Sequence, residues 1–172
     1  MTALTTTSQT FDALPLDAAS RFVTGVFWVL VAGVWVGSGI LLSGGAGAIG
    51  VVMSVVAVVL AVLAVTFRVL QPMGYALAPD GLTVVRRRGA FRVAGAPRGA
   101  EPRPFESHDL RVLGSGGLYG YLGRFRLRDV GSARSYVTDG HHAVLLAVGD
   151  TRVLVSPRDE AAFISAAGGS DA

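Results

Sequence analysis

Arginine is the residue type with the clearest capacity for binding chemistry in this sequence. All 15 basic residues are arginine, since lysine is absent, and they give a net charge of +3 against 12 acidic residues. A guanidinium presents several N–H donors in a fixed plane, which suits phosphate and carboxylate groups. Two segments concentrate this chemistry: one holds Arg86, Arg87, Arg88 and Arg92, and the other holds Arg124, Arg126 and Arg128.

The second segment alternates arginine with apolar residues. At the two-residue period of a strand, its three arginines share one side, while Phe125 and Leu127 face a core. Both arginine groups are candidates for contact with lipid headgroups or a partner. The alternative is a solvated strand face whose charges prevent aggregation at a sheet edge.

Other residue types form no catalytic or metal-binding constellation. The chain has no cysteine, which excludes disulfides and thiolate chemistry, and the absence of lysine excludes Schiff bases. His141 and His142 are adjacent, so on a strand they point to opposite faces. Glu106, His108 and Asp109 gather three polar groups close together in sequence, but they form no known catalytic or metal-binding motif. We therefore expect a non-enzymatic protein without cofactor or metal.

The glycines between 114 and 123 do not form a phosphate-binding loop. The pattern G-x-G-x-x-G fails because Tyr119 occupies its last position, no lysine follows, and the segment leads into a strand. We therefore predict that these glycines serve tight bends or bulges.

The elements that position these residues begin with a membrane hairpin. Residues 22–67 carry no charge and form two apolar runs, 22–42 and 48–67, separated by a glycine-rich turn at 43–47. Each run has the ~20 residues that cross the hydrocarbon core as a helix. Residues 21–68 are thus predicted to be a transmembrane helical hairpin. A cleaved signal peptide is disfavoured, because the apolar run is too long and no positive charge precedes it at the start.

Two further features of the hairpin predict its orientation and packing. Arg21 and Arg68 flank the helices and the turn has no charge, which places both termini in the cytoplasm of a multi-pass inner-membrane protein. Small residues let helices approach closely, either within the hairpin or against another copy. The candidates for helix packing are Gly33, Gly37, Ala57 and Ala61.

The remaining sequence divides into two tails and one domain. Residues 1–20 are polar and predicted to be a disordered or interfacial tail. Residues 74–167 contain about seven short strand patterns and one C-terminal helix, from Arg158 to about Ala167 with Ser156 as its N-cap. Residues 168–172 form a flexible tail. The Pro- and Gly-rich stretch 94–106 is predicted to be a loop.

Three segments resemble bacterial pleckstrin-homology-like (PH-like) domains. They are 112–125 (VLGSGGLYGYLGRF), 136–138 (YVT) and 156–163 (SPRDEAAF). The resemblance implies two packed β-sheets closed by the final helix, in a membrane-anchored member of the family.

The resulting hypothesis is a cytoplasmic docking or self-assembly module at the membrane. The alternative is a sensor of anionic lipid headgroups that works through the arginines. The expected partners are the bilayer, a second copy or another protein, and anionic headgroups, but not nucleic acid.

Overall fold

The structure is a computed structural model that describes residues 8–106 and 109–168. Two long helices precede a mainly-β region in two sheets, and a short helix follows, which confirms the predicted fold class. The elements in chain order are β1 (Gln9–Asp12), α1 (Ala18–Ser43), α2 (Gly47–Leu70), β2 (Pro72–Ala78), β3 (Gly81–Arg86), β4 (Ala90–Ala94), β5 (Pro97–Pro102), β6 (Leu110–Gly117), β7 (Gly120–Leu127), β8 (Gly131–Val137), β9 (Val144–Val148), β10 (Thr151–Val155) and α3 (Glu160–Ala166).

Helices α1 and α2 are long and apolar enough to cross a membrane. With 26 and 24 residues they measure roughly 39 and 36 Å at 1.5 Å per residue, more than the ~30 Å of hydrocarbon. Both helices extend beyond the apolar runs at the domain end. Only Gln71 separates α2 from β2, so the domain starts immediately above the hairpin.

A seam of small residues packs the two helices together. The buried positions recur at seven-residue spacing, as in left-handed helix pairs. They are Val31 and Ser38 in α1 and Gly50, Ala57 and Ala64 in α2.

The predicted packing residues divide between this seam and the outer surface. Ala57 is fully buried in the seam and Ala61 is half-buried beside it. A Cβ atom built at Gly33 or Gly37 would meet nothing within 4 Å. Packing of these two glycines, within the hairpin or against another copy, therefore stays a prediction.

The two sheets share one core. The first is antiparallel with strand order β1-β2-β3-β4, and the second has order β5-β9-β10-β8-β7-β6, with β10 parallel to β8. Buried side chains from both sheets and from α3 pack together, among them Leu82, Val84, Leu146, Val153 and Phe163.

Strand β1 corrects the prediction of a disordered or interfacial tail over 1–20. Residues 9–12 pair antiparallel with β2, and the Phe11 ring packs edge-on against Phe163 at 5.1 Å. The threonine-rich composition suits an edge strand as well as a tail, and only the distant pairing partner distinguishes them. The domain therefore includes β1 and does not begin at residue 74; residues 1–7 lie outside the described part.

Strand β5 corrects the prediction of a loop over 94–106. It pairs with β9 through a register shift between Arg98 and Glu101, with Gly99 at φ +56°. A bulged edge strand accommodates prolines at its ends, which hid it in the sequence. With β1 and β5, the described residues form ten strands and not about seven.

Helix α3 begins later than predicted. Asp159 is its N-cap and accepts a hydrogen bond from Ala162 N (3.0 Å), so Ser156 is not the cap. Ser156 instead belongs to a buried cluster of hydroxyl-bearing side chains with Tyr75 and Thr138. Its N–H donates to Tyr75 Oη (3.1 Å), and its Oγ accepts from Thr138 N (2.9 Å). Burial raises the pKa of Tyr75 to about 12. Of the predicted C-terminal tail, residues 169–172 lie outside the described part.

Candidate functional site at the domain–helix junction

The segment between β1 and α1 ties the hairpin to the domain by backbone hydrogen bonds. Ala13 N donates to Met73 O (3.1 Å), and Leu14 N donates to Ser156 O (3.0 Å). The Thr138 hydroxyl donates to Leu14 O at 2.6 Å. These hydrogen bonds hold the start of α1 against the β-domain, and we call residues 13–17 the strap.

Asp17 ends the strap and caps α1. Its carboxylate accepts hydrogen bonds from Ser20 N (2.6 Å) in α1 and from Gly140 N (3.2 Å) in the domain. Burial alone would raise the pKa of Asp17, but these hydrogen bonds outweigh it and the pKa lies below its usual value. One carboxylate thus joins the first turn of the helix to the domain.

Tyr119, at the tip of the β6–β7 hairpin, makes the second attachment. Its N–H donates to Thr24 Oγ1 (3.1 Å), and its hydroxyl accepts from the Trp28 indole N–H (2.7 Å). The Arg68 guanidinium lies 5.9 Å from the centre of its ring. Tyrosine, tryptophan and arginine are typical of a membrane–water boundary. The sequence analysis missed Thr24, Trp28 and Tyr119.

The backbone of Tyr119 adopts a left-handed conformation. Its φ is +56°, and among the described residues no other residue except glycine has a positive φ. Such a conformation costs about 1–2 kcal/mol for a side chain with a Cβ. Glycines at 117 and 120 flank it, also with positive φ, and form the turn that presents the ring.

Positive φ angles at Gly117 and Gly120 and a bulge in β6 confirm the prediction of bends or bulges, and two further glycines also allow a close approach of β6 and β7. A Cβ at Gly114 would fall 1.9 Å from Leu122 O, and one at Gly123 would fall 2.0 Å from Leu113 O. Only glycine allows the two strands to approach this closely here.

Strand β6 passes across the ends of both long helices. Gly117 at one end lies against Val23 of α1, and Leu113 shares a cavity with Phe67 and Leu70 of α2. Val23 lies near the start of α1, and Phe67 and Leu70 lie at the end of α2, so β6 lies beside the domain end of both helices. It is an edge strand with a bulge between Arg111 and Leu113, and it exposes Val112 (65%) and Leu113 (71%).

The structure separates the seven predicted arginines. Arg86 and Arg124 come together in that same cavity of about 270 Å³. Arg92 forms an ion pair with Asp80. The others are exposed and do not line the cavity: Arg87, Arg88, Arg126 and Arg128. The predicted alternation is confirmed, since Phe125 and Leu127 are buried beneath them.

Arg86 is held by aromatic rings and not by carboxylates. Its guanidinium carbon lies 5.1 Å from the ring centre of Phe91 and 5.6 Å from that of Tyr136. Its Nε is buried without a hydrogen-bond partner among the described residues. Arg124 lies directly opposite Arg134 across the β7–β8 pair, which sets two like charges side by side.

Arg103 forms a different kind of site. Its guanidinium donates to both oxygens of Asp129 (2.9 and 2.8 Å) and to Asp109 Oδ1 (3.2 Å). The hydrogen bonds from Arg103 lower the pKa of Asp129 to about 2. This group holds residues 103–106 over a second core cluster, where Phe105 contacts Tyr121 and Phe125.

Several of the residues considered for metal binding make other contacts. Asp109 is bound by Arg103, and His108 lies outside the described residues. His142 Nδ1 lies 3.3 Å from Asp139 on the surface, and His141 N donates to the same carboxylate.

The two sheets and the C-terminal helix form a small mainly-β domain held against a helical hairpin. Residues 101–169 match the family model described as Bacterial PH domain. This match covers the part of the chain from the end of β5 through α3; it is consistent with a bacterial PH-like domain and confirms the resemblance. A PH-like domain indicates a binding or docking module. No curated protein and no solved structure matches the chain.

Proposed function

We propose that this protein is a non-enzymatic docking and self-assembly module of the cytoplasmic membrane. The hairpin crosses the bilayer with both termini and the PH-like domain in the cytoplasm, because Arg21 and Arg68 flank its helices and its turn has no charge. The non-enzymatic role rests on the sequence, which lacks cysteine and lysine and contains no known catalytic motif.

The observation that carries the proposal is the attachment of the domain to the hairpin at three places. They are the strap, the Tyr119 contact with Thr24 and Trp28, and the single residue Gln71 between α2 and β2. A domain on a flexible linker would sample many orientations, and binding would cost entropy. A fixed domain presents the same surface at the same height in every copy, which lowers that cost.

The surface that this attachment fixes near the bilayer is the outer edge of β6. No strand pairs with that edge in the described part of the chain. Exposed edge strands with apolar residues are templates for pairing with another strand. A second copy in the same membrane is related by a twofold axis along the membrane normal, which brings the two β6 edges together antiparallel.

The test uses the absence of cysteine from the chain. The variant Val112→Cys, in native membranes, should give a cross-linked dimer with a short bismaleimide reagent. Asp150→Cys, in the exposed β9–β10 turn, is the control and should stay monomeric. Cross-linking at both positions or at neither, with a monomeric mass in nanodiscs, would contradict self-assembly through β6.

A further inference from the structure

We propose that the cavity between α2 and the domain binds the phosphate-bearing headgroup of an anionic phospholipid, with Arg86 and Arg124 as its ligands. The acyl chains would lie along α2. This inference rests on the proposed placement of the hairpin in the bilayer, but not on self-assembly.

The charge of the cavity calls for an anion from outside the chain. Among the described residues, no carboxylate lies within ion-pair distance of Arg86 or Arg124, whereas Arg92 has one such partner and Arg103 has three. Arg124 also faces Arg134 across the strand pair, an arrangement that a bound anion would relieve.

Arg86 is arranged in advance for such a ligand. The rings of Phe91 and Tyr136 hold the guanidinium in place, and Nε is already buried without a partner. A guanidinium fixed by stacking loses little side-chain entropy on binding and keeps its N–H donors directed toward a phosphate. The guanidinium of Arg86 is therefore already held in place, and what it lacks is a hydrogen-bond acceptor.

The walls of the cavity select a lipid over a free anion. Phe67 and Leu70 at the end of α2, with Leu113 and Leu122 of the domain, form its apolar side. Leu63, one turn below Phe67, is exposed on the helix surface and continues that side toward the bilayer. The volume of about 270 Å³ is smaller than the ~300–1,000 Å³ of pockets that enclose a whole ligand, so it suits a headgroup whose chains stay outside.

The test uses the full-length protein in detergent, titrated with dioctanoyl phosphatidylglycerol and followed by native mass spectrometry. We expect Arg86→Gln and Arg124→Gln each to weaken binding about tenfold, as for the loss of a charge-assisted hydrogen bond. Arg126→Gln removes the same charge from the same strand outside the cavity and should leave the affinity unchanged. Dioctanoyl phosphatidylcholine should bind about tenfold more weakly.

Two further measurements keep the proposal falsifiable if Arg86→Gln does not fold. Leu113→Ser changes a side chain that is 71% exposed, and should weaken lipid binding about threefold without affecting folding. Inorganic phosphate at millimolar concentration should not displace the lipid.

Three results would overturn the site. They are equal losses for Arg86→Gln and Arg126→Gln, unchanged binding in Arg86→Gln, or full displacement of the lipid by phosphate. None of these results would affect the cross-linking of Val112→Cys, so failure of the lipid site and failure of self-assembly are distinguishable.

Discussion

Arg103 and Arg86 are both partly buried arginines, and they are held in opposite ways. Arg103 binds the carboxylates of Asp129 and Asp109, so its charge is neutralised within the domain. Arg86 lies against two aromatic rings and leaves its Nε without a partner. A neutralised arginine thus stabilises the fold, whereas an arginine that is held in place without a counter-charge keeps its capacity to bind an anion.

The largest expected change in stability comes from removing Arg103. Arg103→Met should destabilise the domain by about 3 kcal/mol or more, because it leaves the Asp109 carboxylate, whose side chain is 1% exposed, without its cation. Urea unfolding of the full-length protein in detergent measures this loss. Arg126→Met, at an exposed position, is the control and should change stability by less than about 0.5 kcal/mol.

A double variant separates the ion pair from the volume of the side chain. Arg103→Met combined with Asp109→Asn should recover part of the lost stability, since the unpaired buried charge is gone. A single variant as stable as the control would show that the Arg103 group is not a structural element.

Acid should break the ion pair between Arg103 and Asp129 without any mutation. The pKa of Asp129 is lowered from 3.8 to about 2 in the folded protein, so this carboxylate contributes stability that is present above pH 4 and lost as the pH falls toward 2. Asp129→Asn should remove that part of the acid dependence. Asp150→Asn, in an exposed turn, should retain it, and identical acid curves for wild type and Asp129→Asn would contradict the assignment.

The sequence predicted the elements whose signal is local and missed the contacts that need distant partners. The uncharged run from residue 22 to 67 predicts long apolar helices, and the alternation from Arg124 to Leu127 predicts a half-buried strand. Strand β1 depends on a partner some 65 residues away in the sequence, at Leu77 and its neighbours, which no local pattern reveals.

The candidate site illustrates the same limit. Seven arginines were candidates on composition and spacing, yet only the folded chain shows that Arg86 of β3 and Arg124 of β7 share a cavity with the end of α2. The one available signal for the junction was the run of glycines around Tyr119. An aromatic residue enclosed by bend-forming glycines is placed at the tip of a turn, where it can reach another element.

The smallest expected change in stability completes the comparison. Arg86→Met keeps an apolar side chain between Phe91 and Tyr136 and loses only two cation–π contacts, each worth about 0.5–1 kcal/mol at most at such a site. It also removes the cost of a buried Nε without a partner, which offsets part of that loss. We therefore expect the stability in lipid-free detergent to change by less than about 1 kcal/mol in urea unfolding, while Arg103→Met under the same conditions loses several times more. A loss for Arg86→Met as large as that for Arg103→Met would show that Arg86 is a structural residue, and would remove the distinction between the two sites.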